Sequence, residues 1–233
     1  YTVHLHPLQF LKICGLENCN DLLNEKFNNF CFIDYFTPGI DVALELKKIY
    51  KNEELIFLKN HGIVLTSDTI DDLYNLLNKT IDQLEDIINI KFNNYKYTNY
   101  ITKLMNKITN KFTISYLSMD LIIKELYNDT INLKPYFPDK LVYCGIDIVY
   151  LNNNFEEDLS NIQQYKNKYN EIPKLFLCKN NIYINSNSIK KCIEIESLLK
   201  SHLICYDKKN KILSQKENNY LNNWDAEKYR KLI

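Results

Sequence analysis

The chain has 233 residues, with 29 Lys and Arg against 29 Asp and Glu and a formal charge of zero. That balance argues against a dedicated nucleic-acid binder, which needs a basic surface to neutralise phosphates. A 45% hydrophobic and 13% aromatic composition excludes a disordered chain, and no apolar run approaches the roughly 20 residues of a membrane helix. The length suffices for a buried core in one large domain or two small ones.

The chain opens on Tyr1, and Thr2-Val3-His4-Leu5-His6 already reads as the middle of a strand, so a front section is expected ahead of it. Strand alternation puts His4 and His6 on one face. Pro7 begins a helical stretch with Leu8, Leu11 and Cys14 inward, stopped by Gly15. A short helix around Leu22 and Leu23 precedes the aromatic strand Phe30 to Tyr35. Thr37-Pro38-Gly39 turns the chain, and Asp41 is the expected cap of a helix from Val42 to Tyr50. Leu55 to Leu58 is a buried strand, Asn60-His61-Gly62 a tight turn, and Ile63 to Leu65 the next strand. Ser67 or Asp68 then caps a long helix in which Ile70, Leu73, Leu77, Ile81, Leu84 and Ile88 recur at helical spacing.

The polar, Asn-rich Lys91 to Asn99 reads as a seam between two halves. Helices are expected at Ile101 to Ile108 and Ile114 to Leu126, and strands at Leu141 to Cys144 and Ile148 to Leu151. A helix from Glu156 to Tyr169, a strand at Leu175 to Leu177, a helix from Ile189 to Leu199 and an amphipathic tail from Asn223 to Arg230 follow. The class is α/β, with connections that favour a mixed or antiparallel sheet. An internal echo links Ile56-Phe57-Leu58, a turn and Ile63 to Ile70 with Leu175-Phe176-Leu177, a turn and Ile182 to Ile189. The two copies align without a gap, with Asn180 and Asn181 in place of His61 and Gly62.

Seven cysteines occur with no CxxC pair. Those in apolar stretches read as small buried hydrophobes, and a reducing cytoplasm is the expected compartment. Three of the four histidines fall in two short motifs. His4 and His6 offer two imidazoles from one strand face, and His61 sits on a turn beside Gly62. Three neutral imidazoles on one divalent ion with a fourth position open is the pattern of catalytic zinc, and an open position can polarise a carbonyl or hold an enolate oxygen. His202 adjoins an apolar stretch and reads as structural.

Val3-His4-Leu5-His6-Pro7, then Ile33-Asp34-Tyr35-Phe36-Thr37-Pro38-Gly39, then Leu58-Lys59-Asn60-His61-Gly62-Ile63-Val64 resembles the class II aldolase/adducin family. There an HxH strand, a YxxPG-like segment and an NHG turn before a long helix occur in this order and at about this spacing. The resemblance covers roughly Tyr1 to Ile90. Phe137 to Gly145 and Asn223 to Tyr229 look like the region that follows the aldolase module in rhamnulose-phosphate-aldolase-like proteins. Those proteins often carry a short-chain dehydrogenase domain further on. The four glycines of this chain form no such nucleotide loop, so a dehydrogenase activity is not expected.

The resemblance implies an aldolase-type αβα sandwich with a mixed, largely antiparallel sheet over residues 1–95, followed by a smaller α/β half over 96–233. It implies Zn2+ or another divalent metal on His4, His6 and His61, with Tyr35, Asn60 and Gly62 lining the site. The family's acid/base glutamate lies about twenty residues before the HxH strand, ahead of Tyr1, and its phosphate-binding loops lie earlier still; proton abstraction needs such a group within reach. The expected activity is zinc-dependent carbon–carbon cleavage of a sugar phosphate. A sugar-phosphate epimerase or dehydratase uses the same metal logic, and an adducin-like interaction module is the non-catalytic alternative. The expected partner is a small sugar phosphate rather than nucleic acid or membrane, in a homo-oligomer, possibly a tetramer.

Overall fold

The structure, a computed structural model, describes residues 1–128 and 130–224, so the expected tail helix lies partly outside the described residues. The chain divides into two compact units, Tyr1–Phe92 and Asn93–Ile233, so the second is the longer of the two rather than the smaller half expected. Both are mixed α/β.

The first unit runs β1 (Thr2–Leu5), α1 (Leu8–Leu11), α2 (Cys19–Asn24), β2 (Cys31–Ile33), α3 (Ile40–Ile49), β3 (Leu55–Leu58), β4 (Gly62–Thr66) and α4 (Ile70–Ile88). Its sheet has the order β1-β4-β3-β2, with β4 antiparallel to both neighbours and β2 parallel to β3. β3 is buried on both faces, which is why its sequence is an unbroken apolar run. Leu55 and Phe57 pack with α1 and α4, while Ile56 and Leu58 pack with Val42 and Leu46 of α3. Helices thus cover both faces of the sheet.

Capping explains several helix starts. Thr69, rather than Ser67 or Asp68, caps α4: its hydroxyl accepts the Asp72 amide at 3.1 Å. Gly39, rather than Asp41, is the N-cap of α3, and Asp41 lies in its first turn, where a carboxylate favours the helix dipole. After Pro7 the chain makes only one helical turn. Phe10, Ile13 and Cys14 are buried, whereas Leu8 and Leu11 face outward.

The second unit runs α5 (Asn93–Thr109), β5 (Ile114–Leu117), α6 (Leu121–Leu126), α7 (Pro138–Cys144), β6 (Ile148–Leu151), α8 (Phe155–Tyr169), β7 (Leu175–Cys178), β8 (Asn181–Ser186), α9 (Ile189–Ile204) and α10 (Gln215–Asn223). Two expected elements differ. The expected helix from Ile114 to Leu126 is a strand and a separate helix, divided where Asp120 accepts the amides of Ile122 and Ile123 to start α6. The expected strand Leu141 to Cys144 is the end of α7. Pro138 supplies the fixed φ of a first helical position, and Gly145, at φ 77°, ends the helix. A four-residue apolar run carries no period of its own, so its flanks decide. The polar seam forms the first turns of α5.

The second sheet has the order β5-β8-β7-β6, with β8 antiparallel to both neighbours and β6 parallel to β7. This is the topology of the first sheet strand for strand. The gapless alignment of the echo fails at the hairpin. In the first unit Leu58 pairs with Gly62, leaving the three-residue turn Lys59-Asn60-His61; in the second Cys178 pairs with Asn181, leaving only Lys179-Asn180. Facing confirms the slip. Leu175 and Leu177 pack with α9 as Leu55 and Phe57 pack with α4, whereas Phe176 faces α5 and α8. A one-residue shift reverses the face of every side chain, so β3 corresponds to β7 with one residue fewer in the following turn.

Candidate metal centre

Strand register brings the three histidine positions to one end of the first sheet. Leu5 pairs with Ile63, so His6 comes level with Gly62, and Leu58 pairs with Gly62 across the turn that holds His61. Ile33 is level with Leu58 in the parallel pair, so Asp34 and Tyr35 leave β2 at the same end. Asn60 adopts a left-handed backbone at φ 54°, a conformation Asn tolerates. Its amide donates to the Cys14 carbonyl at 2.9 Å, and the His61 amide donates to Leu58 at 3.1 Å. Those two bonds fix the turn that carries His61.

The three rings meet. Centroids lie 4.8 Å apart for His4 and His6, 4.9 Å for His4 and His61, and 5.1 Å for His6 and His61. One ring nitrogen from each falls within 4.8 Å of the others. His4 Nδ1 is 3.0 Å from the Ile63 carbonyl oxygen, and His4 Nε2 is 3.0 Å from His6 Nε2. A carbonyl can only accept, so Nδ1 carries the proton and Nε2 of His4 presents its lone pair. That lone pair faces His6 Nε2. Orientation of a ring by a backbone carbonyl through its far nitrogen is the usual support of a metal-ligating histidine.

The donor set fits a divalent ion. Nitrogens bound to one zinc at 2.0–2.1 Å stand about 3.3 Å apart in a tetrahedron, close enough to the observed spacing for side-chain torsions to cover the difference. His61 is half-buried, and its pKa is lowered by that burial first and by His4 and His6 second. The neutral form, which binds metal, is thereby favoured. His4 and His6 are exposed, leaving a side of the cluster open to a small ligand.

Gly62 acts through close approach. A Cβ there would lie 2.4 Å from His6 Cδ2 and 2.5 Å from the Leu5 carbonyl oxygen, so the His6 ring sits over the space a side chain would fill. Asn60 shapes the turn through its backbone. Tyr35 lies beyond β2 with 58% of its surface exposed, whereas its neighbour Phe36 packs against the sheet. Sequence reasoning did not find the Ile63 carbonyl, which no side-chain pattern reveals, nor the ion pair of Lys59 with Asp34 at 3.3 Å. A Lys on the residue after β3 and an Asp on the residue after a parallel β2 were the available signal.

In the second unit, Leu117 pairs with Tyr183 where His4 pairs with Val64, so Leu117 and Met119 stand where His4 and His6 stand in the first. The shortened turn has no counterpart of His61.

No protein-family model matches the chain. An uncharacterized oxidoreductase, YuxG, of Bacillus subtilis (strain 168) is 25% identical over 97 residues, which are 40% of this chain and 14% of that protein. The chain thus spans about a seventh of the length of that curated relative. Among solved structures, the N-terminal class II aldolase domain of a conserved protein from Thermoplasma acidophilum is 24% identical. That alignment covers 37% of this chain and 41% of the other, with a TM-score of 0.34. No helix among the described residues is long and apolar enough to cross a membrane.

Proposed function

We propose that the first unit is a class II aldolase-type domain that binds zinc or a similar divalent ion and cleaves a carbon–carbon bond in a sugar phosphate. The observation that carries the reading is the convergence of His4, His6 and His61 at one sheet end, with His4 oriented by the Ile63 carbonyl. The order of the motifs along the chain supports it.

His4 and His6 would hold the ion from the strand and His61 from the turn. A bound divalent ion supplies Lewis-acid chemistry, offsetting negative charge that develops on a substrate oxygen during cleavage. The chain's own contribution is placement: β1 carries His4 and brings His6 just past its end, the Ile63 carbonyl fixes one tautomer, and Gly62 makes room for His6. Asp34 is tied to Lys59, with its side chain 73% exposed, and we do not assign it the proton transfer. The reading includes an acid/base group supplied from outside residues 1–233 and assembly of several copies in the cytoplasm. All seven cysteines are free, and six of them are buried, in keeping with a reducing compartment.

Purified protein should contain zinc or a similar ion at near one per chain, and His61→Ala should lose it; retention of the full metal content by that variant overturns the site. The full-length protein should release dihydroxyacetone phosphate from a ketose 1-phosphate. Silence across a panel of such substrates with metal bound overturns the lyase assignment and leaves the metal site standing.

A further inference from the structure

The second unit keeps the sheet topology of the first and loses its histidines, yet the equivalent end of its sheet is not closed. A cavity of about 300 Å³ lies there, lined by Ser118 just past β5, Asn180 and Asn181 of the β7–β8 turn, and Lys124 and Tyr127 at α6. The volume falls at the lower end of the range for small-molecule sites.

Its lining is suited to a ligand with an oxyanion and hydroxyl groups. Lys124 forms no ion pair among the described residues; its ammonium touches only the Met119 sulfur, at 3.6 Å, so its charge is free for an incoming anion. Ser118 Oγ donates to Glu196 at 2.7 Å. With its proton so committed, that oxygen can only accept, as a ligand hydroxyl requires. Asn181 Nδ2 donates to the Lys179 carbonyl at 2.9 Å and to Asn94 Oδ1 of α5 at 3.4 Å, so its amide hydrogens are committed and Asn181 contributes to the wall without offering a donor. Lys179 and Asn180 both have left-handed backbones, at φ 49° and 60°, as a two-residue hairpin turn demands. That turn is set by the sheet, and it belongs to the wall of the cavity.

The geometry points to a second, metal-independent binding site here for a small polyol bearing a phosphate or carboxylate. Lys124 takes the oxyanion, and Ser118 and Asn180 take the hydroxyls, with Asn181 part of the wall. This site does not depend on the metal reading of the first unit.

The test is titration of the full chain, stripped of metal by chelation, with glycerol 3-phosphate, glycerate and glycerol in turn, followed by amide NMR. Saturable shifts at Ser118, Lys124, Asn180 and Asn181 are expected with one or both anions at millimolar strength, and the two anionic arms tell phosphate from carboxylate. Lys124→Ala, an exposed change that leaves the core intact, should weaken that binding at least about tenfold, while His61→Ala should leave it unchanged. No saturable shift, glycerol binding as well as either anion, unaltered binding by Lys124→Ala, or shifts abolished by His61→Ala would each overturn the site.

Discussion

Gly62→Ala adds one carbon at the most crowded point of the candidate centre. The new Cβ would meet His6 Cδ2 at 2.4 Å and the Leu5 carbonyl oxygen at 2.5 Å, where ordinary contact begins near 3.4 Å, so something must give by about 1 Å. The ring can rotate, but the Leu5 oxygen belongs to β1, held in register against Ile63. Relief therefore pushes the edge strand away from β4 and carries both His4 and His6 with it. We expect a loss of about 1–3 kcal/mol in stability, the range for overpacking a well-packed site, and at least tenfold weaker zinc binding, as when supports of metal ligands are removed. Competition against a chromophoric chelator measures the second effect and urea unfolding the first. Gly15→Ala is the control: its Cβ would meet only Asn60 Nδ2, at 3.4 Å, and it should leave both readouts nearly unchanged. Wild-type zinc affinity together with wild-type stability in Gly62→Ala would refute the claim that this glycine seats His6.

Two further outcomes concern the second unit. His202 is fully buried among Tyr136, Phe137 and Tyr206, with Nε2 on the Asn132 carbonyl and Nδ1 without a partner. Burial, with help from the Lys140 charge, lowers its pKa from 6.5 to about 4. The folded state thus excludes a proton that the unfolded chain accepts. His202 stabilises fully above about pH 6.5 and loses about 3 kcal/mol as pH falls to about 4. Urea midpoints across that window should fall less steeply in His202→Phe than in wild type, and equal slopes would contradict this. Asp158, also fully buried, accepts the amides of Asn152 and Asn153 and the Tyr100 hydroxyl at 2.6–3.0 Å; Asp158→Ala should cost about 3 kcal/mol, read as a lowered urea midpoint.

The long amphipathic α4 and the doubly buried β3 were legible because their periods are unambiguous: a helical stripe in one, an unbroken apolar run in the other. The α7 segment was not, because Leu141 to Cys144 has too few residues to show any period, and its state is set by Pro138 before it and Gly145 after it. The three histidines could be singled out by residue type and motif, but their meeting is a matter of register. Only pairing of Leu5 with Ile63 and of Leu58 with Gly62 shows that an edge strand and a turn reach the same point. The Ile63 carbonyl that orients His4 was out of reach, since every residue has such a group and only geometry selects one.

The two units show why repeating a fold does not repeat a site. Strand order, the parallel pair and the Thr69 and Ser188 caps of the helices after β4 and β8 are common to both. These features follow from patterning and capping, which tolerate many sequences. The metal centre depends on details that patterning leaves free. A third residue in the hairpin turn gives His61 a place, and a glycine opposite β1 gives the His6 ring its space. In the second unit the turn is the tightest that joins two antiparallel strands, both of its residues are left-handed, and Asn181 pairs at the position of Gly62. Histidines at Leu117 and Met119 would therefore supply two imidazoles with no third from the turn, because the short hairpin lacks the residue that would carry it. The length of one turn separates a sheet end that can hold a metal from one that can offer only amides, a hydroxyl and a lysine.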